Sequence, residues 1–415
     1  QILDTYKLRP IAASLFSDQS YYLDMIMETT DAATGEAQWK LVTPADEVTE
    51  ASVRTAIESA LKQSSTGFLQ VIGLWTPPQT PTQDMFGQTQ AALRTWQQVR
   101  QQLSQDYKVQ TVDLSTGQVP PEVNVLVIIS PQGLDDRARF AIDQYLMRGG
   151  SVVVAAGNYS LSYDQFTGGL ALAPVENGLA DMLAHYGITV EQSLVMDPQN
   201  EPFPVEVDRS VGGTVVRELQ AIDYPFFVDI RTDGMDKTHP IVSQLNAVTL
   251  NWASPVKLDE TKNAGRETSV LLKSTANAWL RTDTNIQPDL QQYPDIGFAV
   301  EGERASQPLA VAVRGSFESY FKDKPSPLAQ PAETAATAEG TPTPTPAPQT
   351  SGVVESSPDT ARLVVIGSSD FLTDVVFQIS ASMAPNRYLN SLSFLQNAVD
   401  WSVEDLDLLG IRARG

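Results

Sequence analysis

Two continuous runs of β-branched and aliphatic residues, Val125-Leu126-Val127-Ile128-Ile129 and Val152-Val153-Val154-Ala155, enclose Phe140-Ala141-Ile142-Asp143-Gln144-Tyr145-Leu146-Met147-Arg148, a segment that reads as a helix. Runs without a polar alternate residue belong to strands buried on both faces. Gly149-Gly150 closes the helix and returns the chain to the second strand. A strand, helix and strand within about thirty residues form a βαβ unit, which predicts a mostly parallel sheet.

The same patterning predicts the remaining elements. Trp39–Val42, Phe68–Trp75 and Tyr107–Leu114 read as strands, and Ile11–Phe16 as a short strand or helical turn. Thr49–Leu61 reads as an amphipathic helix with Val53, Ile57 and Leu61 at four-residue spacing and Thr49 as N-cap. Gln90–Leu103 reads as a helix presenting Leu93, Trp96, Val99 and Leu103 on one face. A further helix over 176–187 carries Leu179, Met182, Leu183 and Tyr186, and Ile188–Val190 follows it as a strand. Strands are also expected at Ala247–Trp252, Ser269–Lys273, Leu309–Arg314 and Arg362–Gly367, with a last helix from about Ser391 to Val403. Residues 191–236 are rich in Pro, Asp and Glu, with strand-like pieces at Thr214–Val216 and Phe226–Ile230, and read as an insertion at the rim of the sheet. Residues 325–358 contain an alternating Thr-Pro tract and too little apolar surface to fold, so a disordered or polyproline loop is expected. The strand and helix after it are too few to form a core alone and must rejoin the earlier sheet. The organisation predicted is an N-terminal α/β segment over 1–66 and a main α/β domain over 67–415.

Composition narrows the functions open to the chain. Its 415 residues are 42% hydrophobic, enough for a substantial core, and carry a net charge of -22. Such an acidic surface repels nucleic-acid phosphates and anionic lipid headgroups. There are no cysteines, which removes thiolate catalysis, disulfides and cysteine metal sites. No apolar run reaches the roughly 18 residues of a membrane span, and no signal peptide is visible. The abrupt ends at Gln1 and Gly415 read as those of a piece cut from something longer.

No Walker A sequence, Gly-x-Gly-x-x-Gly, EF-hand or His-Glu-x-x-His motif occurs, and no metal or other cofactor is expected. The candidate chemistry lies where strands end. In open α/β sheets ligands bind outside the carboxyl ends of the strands. Ser130 and Gln132 follow the first run, Asn158 and Tyr159 the second, and Ser369 and Asp370 the strand Arg362–Gly367. Ser130 can be a nucleophile only with a base in reach, and Pro131 after it departs from the usual exposed elbow, so it reads as a capping or turn serine. Ser368, Ser369 and Asp370 read first as caps of a helix starting near Phe371 and second as ligand groups. Trp75, beside the Pro77-Pro78 loop, is a candidate partner-surface residue. His239, with Asp233 and Asp236, has the makings of a metal loop but reads as a turn before Pro240. His185 reads as a helix C-terminal cap. Asn158-Tyr159-Ser160 is a formal glycosylation sequon.

Seven segments together resemble the auxiliary component of ABC transport systems associated with gliding motility. They are Thr49–Leu61, Gly67–Trp75, Val125–Ser130, Ala141–Gly150, His239-Pro240-Ile241, Val364–Phe371 and Asn397–Trp401. The resemblance implies an extracytoplasmic (periplasmic or extracellular) region held between membrane-spanning segments that lie outside this chain. It implies a separate ATPase and a permease as partners. It also implies an open flavodoxin-like sheet of the class I glutamine amidotransferase kind with helices on both faces, a fold that an intraflagellar-transport domain uses for binding. The expected function is a non-enzymatic binding domain taking a polymer, peptide or protein, with homodimerisation open. A hydrolase or transferase on the same scaffold, and a structural spacer between transporter subunits, are the alternatives.

Overall fold

The structure, a computed structural model, describes residues 70–79, 92–164, 169–211, 214–328, 353–384 and 386–403, together with 11–12, 20–21, 25–30, 37–42, 53–54, 57, 82–83 and 89–90. By its internal contacts the chain divides into two units, residues 1–70 with 103–108, and residues 71–102 with 109–415. In the first, Met25–Thr30 pairs antiparallel with Ala37–Val42, so the expected strand over 39–42 is present. Most of the helix expected over Thr49–Leu61 lies outside the described residues, as does the whole Thr-Pro tract.

The second unit is built on a seven-stranded sheet. Its strands are β1 (Val71–Trp75), β2 (Lys108–Thr111), β3 (Val125–Ile129), β4 (Ser151–Ala155), β5 (Glu267–Lys273), β6 (Pro308–Arg314) and β7 (Arg362–Ile366), in the spatial order β5-β6-β7-β4-β3-β1-β2. Strands β1, β3, β4 and β7 are mutually parallel, whereas β6 runs antiparallel to both β7 and β5. Every residue of β3, β4 and β7 is buried. That is the physical reason for the unbroken apolar runs, since a central strand covered on both faces has no solvent side on which to place polar residues. The last strand rejoins the sheet between β4 and β6, as its length required.

Helix α1 spans Gln97–Leu103, α2 Asp136–Met147, α3 Ala180–His185, α4 Asp374–Met383 and α5 Leu389–Ser402. Helix α2 starts where the Asp135 carboxylate accepts from Ala138 N at 2.8 Å, with Asp136 in the first turn favouring the dipole. It ends at Gly149, whose φ of 90° lies in the left-handed region. Leu126, Ile128, Val152 and Val154 share one core cluster with Ala138, Ala141, Ile142 and Leu146 of α2. The alternate residues Val125, Val127 and Val153 are equally buried, and α5 packs against β3 and β4.

Several expectations change. The helix expected over Gln90–Leu103 begins only at Gln97, and the one over 176–187 is confined to Ala180–His185. The insertion is more regular than its composition suggested: Phe203–Val211 and Thr214–Ile222 pair through nine registers as one long hairpin. Phe227–Arg231 pairs with Ala247–Asn251, and Ile188–Val190 with Val256–Leu258, as antiparallel ribbons outside the central sheet. A second core of Tyr224, Phe226, Phe227, Trp252, Trp279 and Phe298 supports this layer.

The Asp143-Gln144 pair within α2 is wholly buried. Asp143 accepts from the Tyr186 hydroxyl at 2.6 Å, the Ser319 hydroxyl at 2.7 Å and Tyr320 N at 2.7 Å. The Gln144 side chain bonds both backbone groups of Val354, with N–H to Oε1 at 2.8 Å and Nε2 to the carbonyl at 3.2 Å. One helix turn therefore anchors the chain on either side of the Thr-Pro tract.

Candidate functional site

Strand β3 is buried to its end, and the next residue, Ser130, has φ of 53° while its N–H still donates to the Ala155 carbonyl at 2.9 Å. A serine in the left-handed region costs on the order of 1–2 kcal/mol, so the surrounding structure imposes this turn. It sets Ser130 Oγ 2.6 Å from Arg94 Nη1. The same nitrogen lies 3.4 Å from Asp370 Oδ1, four residues beyond β7. Oriented to pair with the guanidinium, the Gln132 amide oxygen accepts from both Arg94 nitrogens, at 3.1 Å from Nη1. The other Asp370 oxygen accepts from Leu161 N at 2.6 Å. Burial raises the Asp370 carboxyl above the ordinary carboxylate range, against the opposing pull of Arg94 and the Leu161 N–H.

Ser130, Gln132 and Asp370 thus converge at the carboxyl edge of the sheet on Arg94, which lies within the helix expected over Gln90–Leu103. Arg94 reaches them because α1 starts late. The Asp374 carboxylate, in the first turn of α4, accepts from the Thr95 hydroxyl at 2.5 Å, Gln97 N at 2.9 Å and Gln98 N at 3.0 Å, while Asp374 N donates to the Thr95 carbonyl at 2.8 Å. One helix start caps the other, and residues 92–96 stay non-helical. Hydrophobic periodicity could not show this, because the signal is a carboxylate some 280 residues away.

The other predicted residues have different places. Asp370 does not cap the helix after it: α4 begins at Asp374 with Thr373 as N-cap. Ser369 Oγ accepts from Gly157 N at 2.8 Å and donates to the Gly157 carbonyl at 3.0 Å, joining the ends of β4 and β7. Asn158 donates to the Val190 and Glu191 carbonyls, and the Tyr159 hydroxyl to that of Gln192. Both are buried and act on the loop beside the sheet rather than on Arg94. Trp75 is half-buried and packs on the core cluster of α2, so packing explains it. His185 does not cap α3: its Nε2 lies 3.1 Å from the Glu318 carbonyl.

His239 packs against Trp401 with ring centroids 5.2 Å apart, and Arg362, the first residue of β7, stacks on Trp401 at 5.1 Å. His239 therefore stands at the amino edge of β7, whereas Ser130 and Asp370 lie beyond the carboxyl edge. Five strand residues, roughly 16 Å, intervene. The hydroxyl of Ser130 meets a guanidinium, which donates and has no capacity to take a proton at neutral pH. The arrangement holds a cation among polar acceptors at the carboxyl ends of β3 and β7, and it contains no Ser–His contact.

Over 220 residues the chain is 20% identical to an uncharacterized protein of Borreliella burgdorferi, covering 52% of this chain and 41% of that one, so it spans well under half the relative's length. Among solved structures it is similar to the mmIFT52 N-terminal domain, with TM-score 0.40, 12% identity, 80% of this chain and 97% of that one. It is also similar to a putative ThuA-like protein from Bacteroides uniformis, with TM-score 0.37, 10% identity, 80% of this chain and 91% of that one. The family described as an ABC-type uncharacterized transport system matches residues 71–398, which takes in the whole central sheet and Arg94, Ser130, Gln132 and Asp370 at its carboxyl edge. The chain belongs to that family, the auxiliary components of an uncharacterized ABC-type transport system.

Proposed function

We propose that this chain is a non-enzymatic, extracytoplasmic binding domain of a membrane-anchored auxiliary subunit, working beside separate ATPase and permease subunits in a gliding-motility-type ABC system. The observation that carries the reading is the convergence of Ser130, Gln132 and Asp370 on Arg94 rather than on a base. A serine without a general base is a hydrogen-bonding group, not a nucleophile. The hydrolase alternative would need Ser130 or Asp370 to meet His239, which packs at the other edge of the sheet.

The strand order β2-β1-β3-β4-β7 supports the flavodoxin-like, amidotransferase-like reading of the fold. In that order the chain reverses direction between β1 and β3, and the crevice outside their carboxyl ends is where such sheets take ligands. Ser130 and Gln132 stand there. The antiparallel pair β6 and β5 extends the far edge.

The test is affinity purification of the full-length protein from detergent-solubilised membranes, with mass spectrometry of what accompanies it. An ATP-binding subunit and a permease are the expected partners. Recovery of the protein alone, from the soluble fraction, would overturn the reading.

A further inference from the structure

We propose that the cluster of Ser130, Gln132 and Asp370 is a guanidinium-recognition site which the chain fills with its own Arg94, and that an arginine side chain of a partner protein takes the same place when Arg94 withdraws. This names the ligand class of the binding site above and rests on that reading.

Three acceptors from two separate strand ends surround one planar cation: Ser130 Oγ, the Gln132 amide oxygen and Asp370 Oδ1. Planar donors arranged as a fork suit such a set, whereas an ammonium would satisfy fewer of the directions. Two of these acceptors are nearly inaccessible, Ser130 at 1% and Asp370 at 2% exposure. The Arg94 side chain retains 14% exposure and Gln132 is half-buried, so these two are the parts of the cluster that reach solvent. Ser130 is held with φ of 53°, in the left-handed region. Strain of that kind is retained where it positions a group. Arg94 also comes from a non-helical stretch, between Leu93, which packs on the second core, and Thr95, which Asp374 holds, so the exchange asks only its side chain to rotate away. An occluding internal ligand lowers the apparent affinity for an external one in proportion to the fraction of time the site is open. The chain's charge of -22 favours approach of a cationic partner.

The test is calorimetric titration of the purified protein with N-acetyl-arginine amide, with N-acetyl-citrulline amide as the neutral isostere. Arg94→Ala opens the site, and Arg94→Met opens it while keeping the stem that packs near Trp96; thermal melts identify which variant is folded. The expected result is saturable binding of the arginine amide to the opened variants, at least tenfold tighter than to the wild type. Citrulline amide should not bind, and Asp370→Asn in the opened background should abolish the binding. Absence of saturable binding to both opened variants, equal affinity in the wild type, or equal binding of citrulline amide would overturn the proposal. If transporter subunits still co-purify, the binding-domain reading stands and the guanidinium class alone falls.

Discussion

At the scale of single residues, environment rather than identity sets behaviour. His239 is half-buried against Trp401, and burial lowers its pKa from 6.5 to about 4, with the nearby Asp236 carboxylate opposing the shift. The folded state therefore prefers neutral imidazole. The stability this confers is complete above the unfolded value of 6.5 and is lost as pH falls toward 4, because the unfolded chain takes up the proton first. Allowing for partial exposure, the loss should be about 1–2 kcal/mol. Urea unfolding at pH 7, 5.5 and 4 should show that decline in the wild type and a smaller one in His239→Gln; an unchanged slope would mean that other groups carry it. Gly367 is a second residue whose surroundings decide its identity. A Cβ there would lie 2.1 Å from the Ser254 carbonyl oxygen, which is backbone and cannot move aside. Gly367→Ala should cost on the order of 2–3 kcal/mol, read as a fall in the denaturation midpoint at constant m-value.

At the scale of elements, the Asp143-Gln144 pair is the clearest case of a sequence motif whose purpose is mechanical. Asp143→Ala would leave the Tyr186 and Ser319 hydroxyls and the Tyr320 N–H without their acceptor in a buried setting. Each such group costs about 1–3 kcal/mol, so the substitution should lower stability by several kcal/mol, and Asp143→Asn by less. Proteolysis near Tyr320 and Val354 is the sensitive readout, because these are the points that the pair pins. Early cleavage there in Asp143→Ala, ahead of global unfolding, is expected; cleavage only with global unfolding would show that the anchor is redundant. The late start of α1 has the same character. Asp374→Ala should release the Thr95–Gln98 backbone and shift Arg94.

At the scale of the whole molecule, net charge and topology matter most. A charge of -22 on 415 residues repels itself in the compact state. The midpoint of thermal unfolding should therefore rise between 10 and 300 mM NaCl as screening sets in; a fall would mean that the ion pairs, such as Arg387 with Glu201 and Asp229, outweigh the repulsion. Among the described residues no helix is long and apolar enough to cross a membrane.

The sequence by itself determined the parallel core. Unbroken β-branched runs of strand length, bounded by turn residues, suit strands covered on both faces, and β3, β4 and β7 stand where those runs predicted. It also determined the place of Ser130, Gln132 and Asp370 at strand ends, since chain position after a strand is a local property. Only the tertiary structure decided what those residues do. Arg94 looks like part of a helix until Asp374 caps the chain at Gln97. Asp370 looks like a cap until Leu161 and Arg94 take its oxygens. Asn158 and Ser369 look like ligand groups until the carbonyls of Val190 and Gly157 claim them. The long hairpin over 203–222 was hidden by its polar composition. In each case the deciding partner is distant in sequence or set by a cross-strand register, and local periodicity carries no record of either.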